Sequence, residues 1–314
     1  MSSNHHQSVM FKESIKELKL KHDGIYIDAT FGRGGHALGI LDKLGEQGRL
    51  IAFDQDISAI EYANQHMNDT RLTLVHSAFA NMHQILSEQG LLGKIDGILM
   101  DLGVSSPQLD NAQRGFSFNA DGPLDMRMNQ TRGMSAAQWL TQADEVEIAD
   151  VIYAFGEERK SRYIARAIKK FQIDTPLETT LQLANIVSSV VRPQKKKHPA
   201  TRTFQAIRIF INQELKQLSE TLEQTLDLLA PEARLCVISF HSIEDRIVKQ
   251  FVRKYSQQKQ LPKGLPIMDS GIQQTLLQDL GKSFANPEEI SVNRRSRSAI
   301  LRIAQRTTKT HEKC

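Results

Sequence analysis

The sequence predicts an α/β protein in which a doubly wound, Rossmann-like parallel sheet is interrupted by an inserted helical domain. Three observations lead there. A strand-like run, Gly24-Ile25-Tyr26-Ile27-Asp28, turns through Gly32, Gly34 and Gly35 into a helix-spaced segment. Three more short apolar runs follow at intervals that fit an intervening helix, as alternating β and α elements require. From about Asp110 to Pro199 strand-like runs are absent, and apolar residues recur at helical spacing instead.

Each element has a local reason. The glycines after the first strand supply dihedrals closed to other residues and let a ligand approach the backbone with no Cβ in the way. The helix that follows, Ala37 to Leu44, keeps Leu38, Leu41 and Leu44 on one face and stops at Gly45. Arg49 to Asp54 is the second strand, Asp56 caps a helix reaching Met67, and Arg71 to His76 is the third strand, with Phe79 just beyond it. The fourth strand, Lys94 to Met100, ends at Asp101 and leads into Leu102-Gly103-Val104-Ser105-Ser106-Pro107-Gln108.

Four helices then follow, at Ser135 to Leu140, Asp144 to Phe155, Glu158 to Phe171 and Thr179 to Val191, the last stopped by Arg192-Pro193. Thr203 to Leu229 reads as one long amphipathic helix, Ala230 to Ala233 as a turn, and Arg234 to Phe240 as a fifth strand. A sheet-covering helix, Ser242 to Tyr255, comes next. Ser256 to Asn293 is expected to be a loop with a short helix at Gln273 to Leu280, and Ser298 to Ala304 a closing strand. The sheet domain is therefore discontinuous, 1–109 with 201–314, around a helical domain at 110–200.

The glycine turn narrows the ligand. A phosphate-cradling P-loop needs Gly-Lys-Ser/Thr, and no lysine follows here. A dinucleotide fold asks for Gly-x-Gly-x-x-Gly, whereas the chain has Gly32-x-Gly34-Gly35 with Asp28 ahead of it. An acid at the end of the first strand repels a pyrophosphate and suits a ligand bearing an ammonium and hydroxyls. S-adenosylmethionine fits that description. Asp54, at the end of the second strand, stands where an open α/β sheet presents a carboxylate to ribose hydroxyls.

Composition sets the remaining bounds. With 314 residues, 40% hydrophobic and 24% charged, the chain is long enough for one large or two smaller globular domains. The polar stretch Met1 to Met10 lacks the apolar core of a secretory signal, and no apolar run approaches the ~20 residues of a membrane span, so a cytoplasmic protein without membrane contact is expected. Cys236 and Cys314 offer neither disulfide nor metal spacing, and no metal is expected. Net charge is only +4, yet Arg192 to Gln213 carries six basic residues and no acid, and Arg294 to Cys314 seven against Glu312 alone. Two such runs beside a nucleotide-type core point to a polyanionic partner.

Six blocks carry a closer resemblance. Asp28 to His36, Asp101 to Gln108, Arg114-Gly-Phe-Ser-Phe118, Asp121 to Met128, His198 to Gln205 and Ile238 to Arg246 resemble, in order, the signature blocks of the bacterial 16S ribosomal RNA (cytosine-N4)-methyltransferase family RsmH, also called MraW. The resemblance implies a class I S-adenosylmethionine-dependent methyltransferase with a helical insert for RNA recognition, acting on a cytidine amine in 16S ribosomal RNA of the small ribosomal subunit. It further implies that Gly34, Gly35 and His36 contact the donor, that Asp54 binds its ribose, and that Phe79, Asp101 and Gln108 complete the pocket. Two blocks depart from the family pattern: Pro231-Glu232-Ala233 replaces Pro-Gly-Gly, and Asn293-Arg294-Arg295-Ser296-Arg297 replaces Asn-Pro-Arg-Ser-Arg.

A cytosine amine is a poor nucleophile because its lone pair is delocalised into the ring. Acceptors facing the amino hydrogens would localise that pair, and holding the nitrogen in line with the methyl supplies further acceleration. Asp101 is the first candidate for that acceptor and Ser106 the second. The base must leave its stack to reach a buried donor. Phe116, Phe118 and Phe240 can stack on it or belong to the core, and His241 can line the pocket or cap the next helix. Lys195 to Arg202 is the segment expected to hold phosphates. Two other readings share part of the pattern: a small-molecule or protein methyltransferase, which leaves the basic runs unexplained, and a dinucleotide oxidoreductase, which lacks its third glycine.

Overall fold

The structure, a computed structural model, describes residues 8–193, 198–257 and 275–308. Helix α1 (Phe11–Glu17) leads into strand β1 (Ile25–Asp28), and then α2 (Gly35–Leu41), β2 (Arg49–Asp54), α3 (Ile57–His66), β3 (Leu72–His76), α4 (Met82–Glu88) and β4 (Ile95–Asp101) follow. Asp56 caps α3 as its sequence position suggests, its carboxylate accepting from the Ser58 amide at 3.0 Å. Phe79 opens a 3-10 turn, Phe79–Asn81, between β3 and α4.

Six helices come next: α5 (Ser106–Asp110), α6 (Ala136–Gln142), α7 (Glu145–Gly156), α8 (Ser161–Asp174), α9 (Thr180–Val190) and α10 (Thr201–Ile211). Ser135 with Gln138 and Thr179 with Gln182 form capping boxes, which explains why α6 and α9 start where they do. Their apolar faces share one core around Trp139, Ile152, Ile164, Ile168, Val187 and Phe204.

The chain divides into two compact units, Met1–Gly103 with Leu215–Cys314, and Val104–Glu214. This corrects the sequence-based boundaries. Residues 104–109 and 201–214 go with the helical unit, because Phe204 and Ile207 of α10 are buried in its core and Leu109 packs against it.

The expected single helix over Thr203 to Leu229 is two, α10 and α11 (Glu214–Leu228). Helical spacing runs through both, but Gln213 takes a left-handed φ of 50° and breaks them apart. Strand β5 (Leu229–Ser239) also starts earlier than expected: Pro231-Glu232-Ala233 is absorbed as a bulge, with Glu232 at φ 65° and a register shift against β4 between Ile95 and Gly97.

After α12 (Ser242–Ser256), Leu277–Phe284 forms β6 where a short helix over Gln273 to Leu280 was expected; Gln273 lies outside the described residues. β6 is polar and half-exposed because it is an edge strand, so it lacks the apolar alternation that would have marked it. Helix α13 (Pro287–Val292) and strand β7 (Ile300–Arg306) close the chain.

The sheet order is β3-β2-β1-β4-β5-β7-β6. The first five strands are parallel, β7 runs antiparallel to β5, and β6 antiparallel to β7. Alternation along the central strands feeds two cores. Ile27, Phe53, Ile98 and Val237 meet α4, α11 and α12 on one face, while Tyr26, Leu50, Leu99 and Cys236 meet α1, α2 and α3 on the other. The winding direction reverses between β1 and β4, the place where such sheets open a crevice at their carboxyl ends.

Candidate donor site at the carboxyl edge of the sheet

The glycine turn is pinned from both sides. The Ala29 amide donates to Leu99 O and the Phe31 amide to Phe53 O, each at 2.9 Å, so the turn is tied to β4 and β2. Gly34 sits at φ 75°, and a Cβ there would lie 2.7 Å from the Phe31 ring. At Gly35 a Cβ would lie 2.1 Å from Ser8 Oγ. A side chain at either position would close the turn.

Three acids and one histidine gather there. Asp28 is fully buried, and its Oδ1 accepts from the Thr30 amide at 3.1 Å. Thr30 Oγ1 in turn accepts from the Asp101 amide at 2.6 Å, so this one residue links the ends of β1 and β4. His36 Nε2 stands 3.6 Å from Asp101 Oδ2, an ion-pair distance beyond hydrogen-bonding range. Asp54 is held by two amides, Gly32 on Oδ2 and Asp56 on Oδ1, both at 2.8 Å. Among the described residues, Asp28 Oδ2, Asp101 Oδ1 and both His36 ring nitrogens are buried with no hydrogen-bond partner.

Electrostatics follow from that geometry. Burial pushes Asp28 up to about 6, against the partial relief of His36 and the Thr30 amide. Burial likewise raises Asp54 to about 6, opposed by the amides of Asp56 and Gly32. For His36 burial works against the charged ring, but Asp101 and then Asp28 outweigh it and raise its pKa. The site is thus short of positive charge and of hydrogen-bond partners. A ligand bearing cationic groups and hydroxyls relieves both, which is the fit S-adenosylmethionine requires.

Gly34, Gly35, His36, Asp54, Phe79 and Asp101 all stand in the sheet unit, at the carboxyl ends of β2 and β4, in the turns after β1 and β3, or in the first residues of α2. Ser106 and Gln108 lie in α5 of the helical unit, where the buried Gln108 accepts from the Ser105 amide at 2.9 Å and closes a capping box. Of the aromatic candidates, Phe116 is buried in the helical core, Phe118 stacks on His198 with ring centroids 4.4 Å apart, and Phe240 packs against the sheet core. His241 caps α12, its Nδ1 accepting from the Glu244 amide at 3.4 Å.

The basic runs are partly structural. Arg208 pairs with Glu214 at 2.8 Å, Arg302 with Asp245 at 2.7 Å, and the buried Arg306 donates to the Leu226 and Leu276 carbonyls. Lys195, Lys196 and Lys197 lie outside the described residues. Sequence reasoning used Asp28 only to choose a ligand and missed it as a site residue. It also missed Thr30, although Asp28-Ala29-Thr30 places both at the strand end.

Fold and site together define a class I S-adenosylmethionine-dependent methyltransferase. The chain belongs to the MraW methylase family, whose model matches residues 3–307. It is 70% identical over 306 residues to the ribosomal RNA small subunit methyltransferase H of Ruthia magnifica subsp. Calyptogena magnifica, covering 98% of this chain and 100% of that protein. The protein of the same name from Shewanella woodyi is 52% identical over 304 residues, with 96% and 97% covered. A solved rRNA methylase from Streptococcus thermophilus is 11% identical, covers 95% of each chain and gives a TM-score of 0.43, too low to carry weight. Among the described residues no cluster of His, Cys, Asp or Glu is built to hold a metal, and no helix is long and apolar enough to cross a membrane.

Proposed function

We propose that this chain methylates the N4 amine of a cytidine in 16S ribosomal RNA of the small ribosomal subunit, with S-adenosylmethionine as donor, in the cytoplasm. The observation that carries the reading is the carboxyl-edge cluster, whose buried acids and unpartnered polar atoms ask for a cationic, hydroxyl-bearing ligand in a chain of the MraW methylase family. Donor binding falls to Gly34, Gly35 and His36 along the turn, Asp54 at the ribose hydroxyls, Phe79 beside the adenine, and Asp101 and Gln108 completing the pocket. The sulfonium supplies an electrophilic methyl group. Asp101 accepts a hydrogen bond from the amine through the oxygen that has no other partner, which localises the nitrogen lone pair; Ser106 is the second candidate for that task. N4 forms its bond to the methyl carbon as the carbon–sulfur pair goes to sulfur, and the cationic amine then gives up one proton to water. Helices of the 104–214 unit present the RNA.

Mass mapping tests this. Small subunits from a strain lacking its own enzyme are incubated with the protein and donor, beside protein-free 16S RNA. One methyl on one cytidine N4 is expected. A methyl on another atom, or turnover of a small molecule with no RNA present, would overturn the reading.

A further inference from the structure

On the helical unit, α7 and α10 meet over Gly156, where a Cβ would lie 2.6 Å from the Arg202 carbonyl. The chain leaves α7 at Glu157 in the left-handed conformation, φ 50°. Beside that turn lies a cleft of about 690 Å³, lined by Tyr153, Ala154, Glu157, Arg159 and Arg202. None of these residues has a role in the donor site.

Three features give the cleft a chemistry. Tyr153 is 63% exposed, on a helix that buries Ile148 and Ile152. The Arg202 guanidinium is held in place: its Nη1 donates to Glu157 O at 3.1 Å and lies 3.8 Å from Oε2 of the buried Glu158. Arg159 is exposed, and among the described residues no hydrogen bond or ion pair engages it. The lining therefore offers the unengaged guanidinium of Arg159 beside that of Arg202, which already faces the Glu158 carboxylate, together with the Glu157 carboxylate and a bare aromatic face.

We infer that this cleft takes a nucleotide of single-stranded RNA, its base stacked on Tyr153 and its phosphate bound by Arg159. The volume falls within the roughly 300–1,000 Å³ of small-ligand clefts. A planar guanidinium matches phosphate oxygens in a two-point fork, and an aromatic face accepts any base. Arg202, already ordered by the Glu157 carbonyl and the Glu158 carboxylate, can act as a second donor without losing side-chain freedom on binding, while Arg159 makes the phosphate contact. The inference rests on the RNA methyltransferase reading and deepens it, giving the helical unit a defined grip on its acceptor.

The test compares Tyr153→Ala, Tyr153→Phe and Arg159→Ala with wild type in binding to protein-free 16S RNA and to small subunits, with donor affinity by calorimetry as the folding control. Tyr153→Ala is expected to raise the RNA Kd about 5- to 150-fold, the loss of one stacked base. Tyr153→Phe, which keeps the ring, restores most of that affinity. Arg159→Ala lowers the steepness of the salt dependence by about one unit. Wild-type RNA affinity in Tyr153→Ala overturns the inference. So does a defect confined to assembled subunits, which would make the occupant a ribosomal protein. A wild-type enzyme that methylates no RNA overturns the functional reading instead, while the binding comparison still decides the cleft.

Discussion

Two largely enclosed polar clusters in this chain follow opposite rules. Behind loop 121–133 of the helical unit, Asn212 spends its whole amide: Oδ1 accepts from the Met128 amide at 2.7 Å, and Nδ2 donates to Met126 O and Arg208 O at 2.8 Å each. Asp125 grips Arg127 through both carboxylate oxygens, and although burial pushes its pKa up, Arg127 outweighs this and holds it below the ordinary value. At the carboxyl edge of the sheet, by contrast, Asp28, His36 and Asp101 keep buried atoms unpartnered and Asp28 is raised to about 6. A satisfied cluster fixes a backbone, here one that includes the left-handed Met126 at φ 61°. An unsatisfied one is held open by the surrounding fold and is completed by a ligand.

Substitution separates the two. The largest effect is expected from Asp101→Asn: kcat falls about 10²- to 10³-fold, the scale of losing one preorganised contact at the reacting group. Urea unfolding of this variant should stay close to wild type, because the Asp101 side chain gives up only its 3.6 Å pairing with His36; a large loss of stability would erase the contrast.

Asp28→Asn comes next. The folded chain holds the Asp28 proton up to about pH 6, while the unfolded chain releases it near 3.8. Between those values the folded state binds more protons, so the contribution of Asp28 to stability falls as pH rises and is fully lost above about 6. The loss amounts to about 3 kcal/mol at 1.36 kcal/mol per unit. Removing the charge should therefore stabilise the ligand-free protein at pH 7, reduce the slope of a pH series of melting curves by about half, Asp54 contributing the rest over the same window, and weaken donor binding.

The smallest of the three effects is expected from Asn212→Ala, which should cost about 2 kcal/mol in urea unfolding by stranding buried backbone groups, and leave donor affinity at the wild-type value. Weakened donor binding in that variant would mean the clusters are not independent.

The glycine turn and the acids at the carboxyl edge of the sheet were legible because their signals are local: a strand, three glycines and acids at strand ends lie within short stretches of chain. Their energetic state was not, since the pKa of Asp28 is set first by burial and then by His36, Asp101 and Asp54, brought together by three strands and a turn. The break after Asn212 escaped detection for a similar reason. Apolar residues keep helical spacing from Phe204 to Leu226, and only the tertiary partners of Asn212 explain why the helix ends there. β6 was illegible because an edge strand with Lys282 and Gln278 turned to solvent carries no period-two pattern. Which residues of the basic runs are structural was not legible, since Arg208, Arg302 and Arg306 face internal partners that no count of charges reveals.

Adjacent strands β4 and β5 are separated in the chain by the whole helical unit, which has a core of its own. During synthesis, at about 5–20 residues per second, β4 emerges roughly ten seconds before its neighbour. For that interval its outer edge is open and the nascent sheet depends on β1 alone to hold β4 in register. A ribosome stalled inside the helical segment would thus expose a strand edge ready to pair with whatever extended chain is nearest.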